Sequence, residues 1–356
     1  EPVEKDGRVY GRGSQDDKGQ LFSFLCGLRR FLQNAKGPVP TLKFVYEGQE
    51  ESGSGALTRL LTERASDDPE APGFREGLAA DVLCVCDTDL RPAIVAGLRG
   101  VTHFTLRLEG ANRDLHSGSF GGVAPNAAQA MAELLASLHN PDGSIAVRGF
   151  MDGVAEPSAE ELAAARDSAL SDEACEREIG CPPAGGERAL PPVVRNSFRP
   201  TIEVNGVHSG YGGPGSKTVI PCAALAKLSM RLVPNQNPKD AMAAVERHLK
   251  LHSPPGMKFF VEDVTGEAPA LKLPLSSPVF RLAAAVLEEI DSRGAVFQWD
   301  GASIPVVSLL ARVSGAAPLL VGFGQPSDCI HSPNESFSLR QFALGSAWAE
   351  KILGAL

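Results

Sequence analysis

Two adjacent carboxylates at the end of an apolar run constrain this chain more than any other feature. Thr41-Leu42-Lys43-Phe44-Val45-Tyr46 is rich in β-branched and aromatic residues and reads as a buried strand. Glu50 and Glu51 follow within Glu47–Gly55, where Ser52-Gly53-Ser54-Gly55 supplies turn chemistry before a helix expected over Ala56–Thr62. The pair therefore belongs to a strand-to-helix loop. In an open α/β sheet ligands bind beyond the carboxyl ends of the strands, so acids placed there converge on one point.

The neighbouring segments fit that picture. Ser14–Gly19 precedes a helix over Gln20–Gln33, in which Leu21, Phe22, Leu25, Leu28, Phe31 and Leu32 recur at helical spacing. Ser66–Gly73 is polar and reads as a surface excursion, and Ala80–Cys86 is a second buried strand that ends on another acid, Asp87. This alternation predicts a mostly parallel sheet with crossover helices, an α/β fold. From Leu98 the order changes to strand (Phe104–Leu108), helix (Pro125–Leu138), strands (Thr201–Val207, Ala223–Val233), helix (Pro238–Leu251) and strand (Lys258–Val264). That is the βαββαβ order of a ferredoxin-like unit, here interrupted by a long insertion over Asn140–Arg195. Alternation resumes from Ser277, so the expected division is 1–97 and 271–356 for one domain, with 98–270 inserted into it.

Charge and cysteine usage narrow the class. The formal net charge of −9 argues against a nucleic-acid or anionic-membrane surface, both of which call for a basic face. It suits a site built from carboxylates. No apolar run reaches the roughly 18 residues of a membrane span, and no signal peptide is visible. The seven cysteines have no CxxC or zinc-finger spacing, so they read as reduced thiols of a cytoplasmic protein.

Asp16, Glu51, Asp87 and His331 are hard or borderline metal ligands at strand ends or loops, and all lie outside the inserted segment. A catalytic zinc takes about three such ligands and leaves one position for a water whose pKa falls to about 7. Glu50, beside a ligand but not needed as one, suits the general base that takes the water's proton. A two-metal centre needs a bridging carboxylate, for which Asp16 is the candidate. Plainer readings exist: a solvated turn for the Glu pair, an Asx-turn for Asp87, an ordinary loop histidine for His331. Asp17 can support the site or face the dipole of the following helix. Gly210–Lys217 lacks P-loop order, and Asp16 falls where a dinucleotide fingerprint needs glycine.

Tyr10-Gly11-Arg12-Gly13-Ser14-Gln15-Asp16-Asp17-Lys18-Gly19, Glu47–Ser54, Cys86-Asp87-Thr88 and His331-Ser332-Pro333-Asn334-Glu335 together resemble the metal-site motifs of the co-catalytic zinc peptidases. That family includes cytosolic nonspecific dipeptidase, carboxypeptidase G, aminoacylase and succinyl-diaminopimelate desuccinylase. Gly97-Leu98-Arg99-Gly100 and Gly215–Pro221 resemble the dipeptidase branch most closely. The resemblance implies two zinc ions per subunit, with manganese or cobalt as substitutes. It makes Asp16 the bridge, Glu51 and His331 the other ligands of one ion, Asp87 a ligand of the second, and Glu50 the base. It also implies that residues 98–270 form a lid that dimerises, with His116 of Leu115-His116-Ser117-Gly118 reaching the partner subunit's site to polarise the scissile carbonyl.

Two departures stand out. The family's first metal motif, His-x-Asp, lies upstream of the Gly-Arg-Gly-Ser segment and is not in this sequence, which begins at Glu1 without Met. In Trp299-Asp300-Gly301-Ala302-Ser303-Ile304-Pro305, tryptophan stands where relatives place an arginine that grips the substrate carboxylate. The expectation is a metallopeptidase acting on short peptides; the alternatives are an N-acyl amino acid deacylase and a non-catalytic dimeric scaffold.

Overall fold

The computed structural model describes residues 1–64, 77–87 and 93–356; the polar stretch 66–73 and Thr88 of the Cys-Asp-Thr motif lie outside the described residues. In chain order the elements are β1 (Val3–Lys5), β2 (Arg8–Tyr10), α1 (Lys18–Asn34), α2 (Gly55–Arg64), β3 (Val82–Val85) and β4 (Ala93–Leu98). Next come β5 (Gly100–Glu109), β6 (Leu115–His116), α3 (Ser117–Phe120), α4 (Ala127–Ala136), α5 (Ala159–Ser168), α6 (Asp172–Ile179) and α7 (Pro192–Phe198). β7 (Thr201–Ser209), β8 (Val219–Ile220), β9 (Ala223–Leu232), α8 (Pro238–His252) and β10 (Lys258–Ala268) follow. β11 (Leu271–Lys272), α9 (Pro278–Ile290), β12 (Val296–Asp300), α10 (Pro305–Ser314), β13 (Ala317–Gly322), β14 (Ser336–Ser338) and α11 (Leu339–Ala355) complete it.

The outer sheet has the order β11-β4-β13-β3, with β12 also on β4. It is mixed rather than mostly parallel: β13 with β3 and β12 with β4 run parallel, whereas β13 with β4 and β11 with β4 run antiparallel. β4 therefore runs against the direction of β3, a sense that does not call for the long crossover a parallel return needs. β10, β5, β9 and β7 form a separate, wholly antiparallel sheet in that order, the arrangement that a βαββαβ chain path produces. α4 and α8 bury Met131, Leu134, Val245 and Leu249 with this sheet's Leu106, Leu228 and Met230 in one core.

A second core gathers β4, β13, α9 and α11 around Phe280 and Trp348. Ala165 and Val194, from the insertion expected over Asn140–Arg195, and Phe198 just beyond it belong to this outer core instead. Residues 140–199 thus form a strap that leaves one core, with Val147 and Phe150, and packs on the other.

Two expectations need correction. Thr41–Tyr46 is not a strand, and Phe44, Val45 and Tyr46 are 47%, 44% and 62% exposed. No described strand pairs with the segment, and β-rich composition cannot make a strand without a neighbour to bond. In α1 the buried stripe is Gln20, Ser23, Gly27 and Phe31 rather than the full apolar set; Phe22 and Leu32 stay exposed. α1 is pressed on α11 so closely that a Cβ on Gly27 would lie 2.3 Å from the Ser346 carbonyl oxygen, so small and polar residues form the contact.

Candidate metal centre

Pairing of β2 with β14, with Tyr10 opposite Ser336, lays the loop 11–16 against the segment that carries His331 and Glu335. Glu335 is 3% exposed. Its carboxylate accepts from the backbone N–H groups of Gly13 (3.0 Å), Gln15 (3.1 Å) and Asp16 (3.1 Å) and from Arg12 Nη1 (2.9 Å). Burial alone would push this acid up, but the four donors outweigh it and hold the carboxyl below its ordinary range. The acid fixes the backbone from which Asp16 projects.

Asp16, Glu51 and His331 are brought together, their nearest donor atoms all within 4.8 Å of one another. His331 Nε2 lies 2.8 Å from Asp16 Oδ2 and 3.0 Å from Glu51 Oε2. Glu50 and Glu51 occupy a 3₁₀ turn, Glu50–Ser52, closed by Gly53 in the left-handed region. Ser54 Oγ donates to Glu47 Oε2 at 2.9 Å and steadies that turn. His331 has φ +55°, as does Cys329, and Asn334 has +68°. Three non-glycine residues in the left-handed region within six positions store backbone strain of the kind that gathers at ligand sites.

Asp16, Glu50, Asp87 and His331 line one open cleft of about 140 Å³, and Asp300 and Ser303 also belong to its lining. Asp87 thus joins the cleft but stands outside the closest three-ligand group. His116 lies elsewhere: it is exposed on β6, and its Nδ1 accepts from Gly118 N at 3.0 Å. Trp299, 7% exposed, packs on Phe198 at a ring separation of 5.4 Å. Its indole offers a single N–H and no charge, so it cannot reproduce the two-point grip of a guanidinium on a carboxylate.

The electrostatics favour a cation. Burial, then Glu51, pushes Asp16 up against the opposing pull of His331 and Arg12. Burial, then Glu51 and Asp16, pushes Glu50 up. Asp17, joined to Asp16 by a cis peptide bond, is pushed to about 9 by burial and by Asp87, Asp16 and Glu50. Its Oδ1 is buried without a hydrogen-bond partner. Arg12 is the guanidinium among these acids; it pairs with Glu51 and Glu335. Carboxylate oxygens and one imidazole are the donor set of zinc and its neighbours, and crowding them stabilises only a state holding positive charge. The residues present fit a divalent ion.

Glu335 and Arg12 were missed as functional residues in the sequence, although both stand inside the quoted motifs. A charged residue embedded among Gly, Ser and Asn in a loop is the available signal.

The profile of peptidase family M20/M25/M40 matches residues 1–355. Cys-Gly metallodipeptidase dug1 of Schizosaccharomyces pombe is 29% identical over 96% of this chain and 72% of its own length. Beta-Ala-His dipeptidase of Rattus norvegicus is 27% identical over 97% of this chain and 70% of its own. Among solved structures, the dipeptidase Dug1p of Saccharomyces cerevisiae superposes with a TM-score of 0.81 at 25% identity, over 99% of this chain and 74% of that one. The metallo-carboxypeptidase Sso-CP2 of Sulfolobus solfataricus gives 0.85 at 24% identity, over 99% and 78%, a likeness of fold.

Proposed function

This chain belongs to peptidase family M20/M25/M40, and from that premise we propose how it carries out the metal-dependent hydrolysis of dipeptides. The single observation that carries the reading is the convergence of Asp16, Glu51 and His331 beside a spare acid, Glu50, in one cleft. Asp16, Glu51 and His331 would hold one ion, and Asp16 would share a second with Asp87. A zinc ion there, or manganese or cobalt, supplies Lewis acidity to a water and to the scissile carbonyl. Glu50 takes the proton of the attacking water as the new carbon–oxygen bond forms. It then gives that proton to the amine nitrogen as the carbon–nitrogen bond breaks, which leaves two amino acids. A raised carboxyl such as that of Glu50 is matched to both halves of the transfer.

We also infer that two copies pair through the unit containing β5–β10, which acts as a lid and brings His116 to the partner's cleft. β7 supports this, because it is an edge strand with Val204 and Val207 43% and 57% exposed. No described helix is long and apolar enough to cross a membrane.

The test compares wild type with Glu50→Gln and His331→Ala on a set of dipeptides and N-acyl amino acids. Glu50→Gln is expected to bind metal normally and lose about 10²–10⁴-fold in kcat; His331→Ala is expected to lose metal. Equal activity of Glu50→Gln and wild type would overturn the assignment of the base, and turnover of N-acyl amino acids alone would favour the deacylase.

A further inference from the structure

Two chain crossings join the units, at Leu98–Gly100 and at Ala268–Leu271, and the part of the cleft lining formed by 300–304 is tied to the first. Arg99 stands at that crossing. Its Nε donates to Gly301 O at 2.8 Å, Nη1 to Arg199 O at 3.4 Å, and Nη2 to Asn196 Oδ1 at 3.3 Å. Its backbone N–H donates to Ala302 O at 3.1 Å, and its carbonyl accepts from Ser303 Oγ. One residue therefore ties three segments: the crossing itself, the end of the strap at α7, and the loop 300–304 whose Asp300, Ala302, Ser303 and Ile304 face the cleft.

The joint has marks of being built for this. Among the described residues no carboxylate comes within ion-pair distance of Arg99. Burial, then the neighbouring Arg231, lowers its guanidinium to about 10. The charge is half-buried and draws only through-space support from Glu203 and Asp300, while its direct hydrogen bonds go to two carbonyls and an amide. What the guanidinium adds is its rigid fork, which meets three acceptors at fixed angles. Gly301 takes part as well, since a Cβ there would lie 2.5 Å from Asn196 Oδ1 and 3.0 Å from Arg99 Nη2. Ser303, which the Arg99 carbonyl holds, also accepts from Arg231 Nη1 at 2.9 Å. Ser197 Oγ donates to Trp299 O at 3.1 Å and fixes the strap to the strand that leads into the loop.

We propose that Arg99 is a positioning residue of the hydrolase: its fork locks the 300–304 wall to the crossing and the strap, and so holds a bound dipeptide in register with Glu50. Arg99 itself does not line the cleft. The proposal rests on the peptidase reading, because the wall matters only if a substrate lies against it.

The experiment uses the full-length, metal-loaded protein with Arg99→Ala, Arg99→Lys and Gly301→Ala, and Glu161→Ala as a control. Glu161 pairs with Lys272 at 2.6 Å near the second crossing, accepts from Ser158 N at 2.8 Å, and does not line the cleft. Arg99→Ala and Gly301→Ala are expected to lower kcat by about ten- to a hundredfold while KM moves less than about threefold, since a small misplacement at the reacting atoms costs that much. Arg99→Lys keeps the charge but not the fork and should recover little. Sub-denaturing guanidinium chloride should restore part of kcat to Arg99→Ala and none to Gly301→Ala. Glu161→Ala should lower the melting temperature alone. Unchanged kcat in both Arg99→Ala and Gly301→Ala, or equal losses in Glu161→Ala, would overturn the proposal. A wild type without dipeptide turnover would sink the peptidase reading separately. The joint is then read from Trp299 emission in a Trp348→Phe background, which Arg99→Ala should shift to the red and guanidinium should reverse; an unmoved emission would overturn it.

Discussion

At the scale of single residues the candidate centre depends on an acid that touches no ion. Glu335 gathers three backbone N–H groups of the loop 11–16 and the Arg12 guanidinium on one carboxylate. Glu335→Gln keeps the shape but offers one acceptor oxygen in place of two and brings donors against donors. Loss of such a supporting group commonly costs 10–100-fold in metal affinity, so the variant is expected to release its divalent ion to a chelator about that much more readily. Undiminished affinity would mean that the loop holds Asp16 unaided. The convergence of Asp16, Glu51 and His331 was legible in the sequence because their chemistry is carried by residue type, even though the strand expected before the Glu pair did not form. Glu335 was not, because the pattern of a loop does not disclose which N–H groups will face inward. Trp299 shows the same limit: the sequence marks it as a departure from an arginine of the relatives, and only the fold shows that it packs against Phe198.

At the scale of elements, backbone path and partner decide what periodicity proposes. The four strands and two helices of the antiparallel unit were legible because alternation and helical spacing are local. Thr41–Tyr46 was misread because a strand is a property of two segments. The α1 apolar stripe was misjudged because contact with α11 selects small side chains, and Gly27 is the residue that allows it. Gly27→Val should cost about 1–3 kcal/mol in urea denaturation, as overpacking does, and an unchanged midpoint would show that the helices give way freely.

In α8, His248 and His252 stack at 4.0 Å, and His248 Nε2 lies 3.0 Å from Ser137 Oγ. Burial, then His252, lowers His248 from its ordinary value. A histidine lowered in the fold contributes stability that is present above its unfolded pKa of about 6.5 and is lost as pH falls through the folded value. His252→Gln removes the neighbouring charge, so its acid unfolding midpoint should move to lower pH; a midpoint that stays put would exclude the pair as a source of acid sensitivity.

At the scale of the whole molecule the units are joined more firmly than two crossings suggest, because the strap 140–199 buries Ala165, Val194 and Phe198 in the outer core. Phe198→Ala should destabilise by about 3–5 kcal/mol, the usual cost of emptying a buried aromatic site, and should make the outer unit unfold first in hydrogen exchange. Simultaneous loss of protection in both units would show them to be one cooperative body.

The pairing of α1 with α11, and the bond from Asp16 N to Glu335 across 319 positions, carry a further consequence for synthesis. A nascent polypeptide leaving the ribosome presents Asp16, Asp17 and the glutamate pair long before the residues that cradle them have been translated. The acids therefore stay without their cradle until Glu335 has been made, and an arrest of translation before that residue yields a product whose loop 11–16 has no carboxylate to gather it.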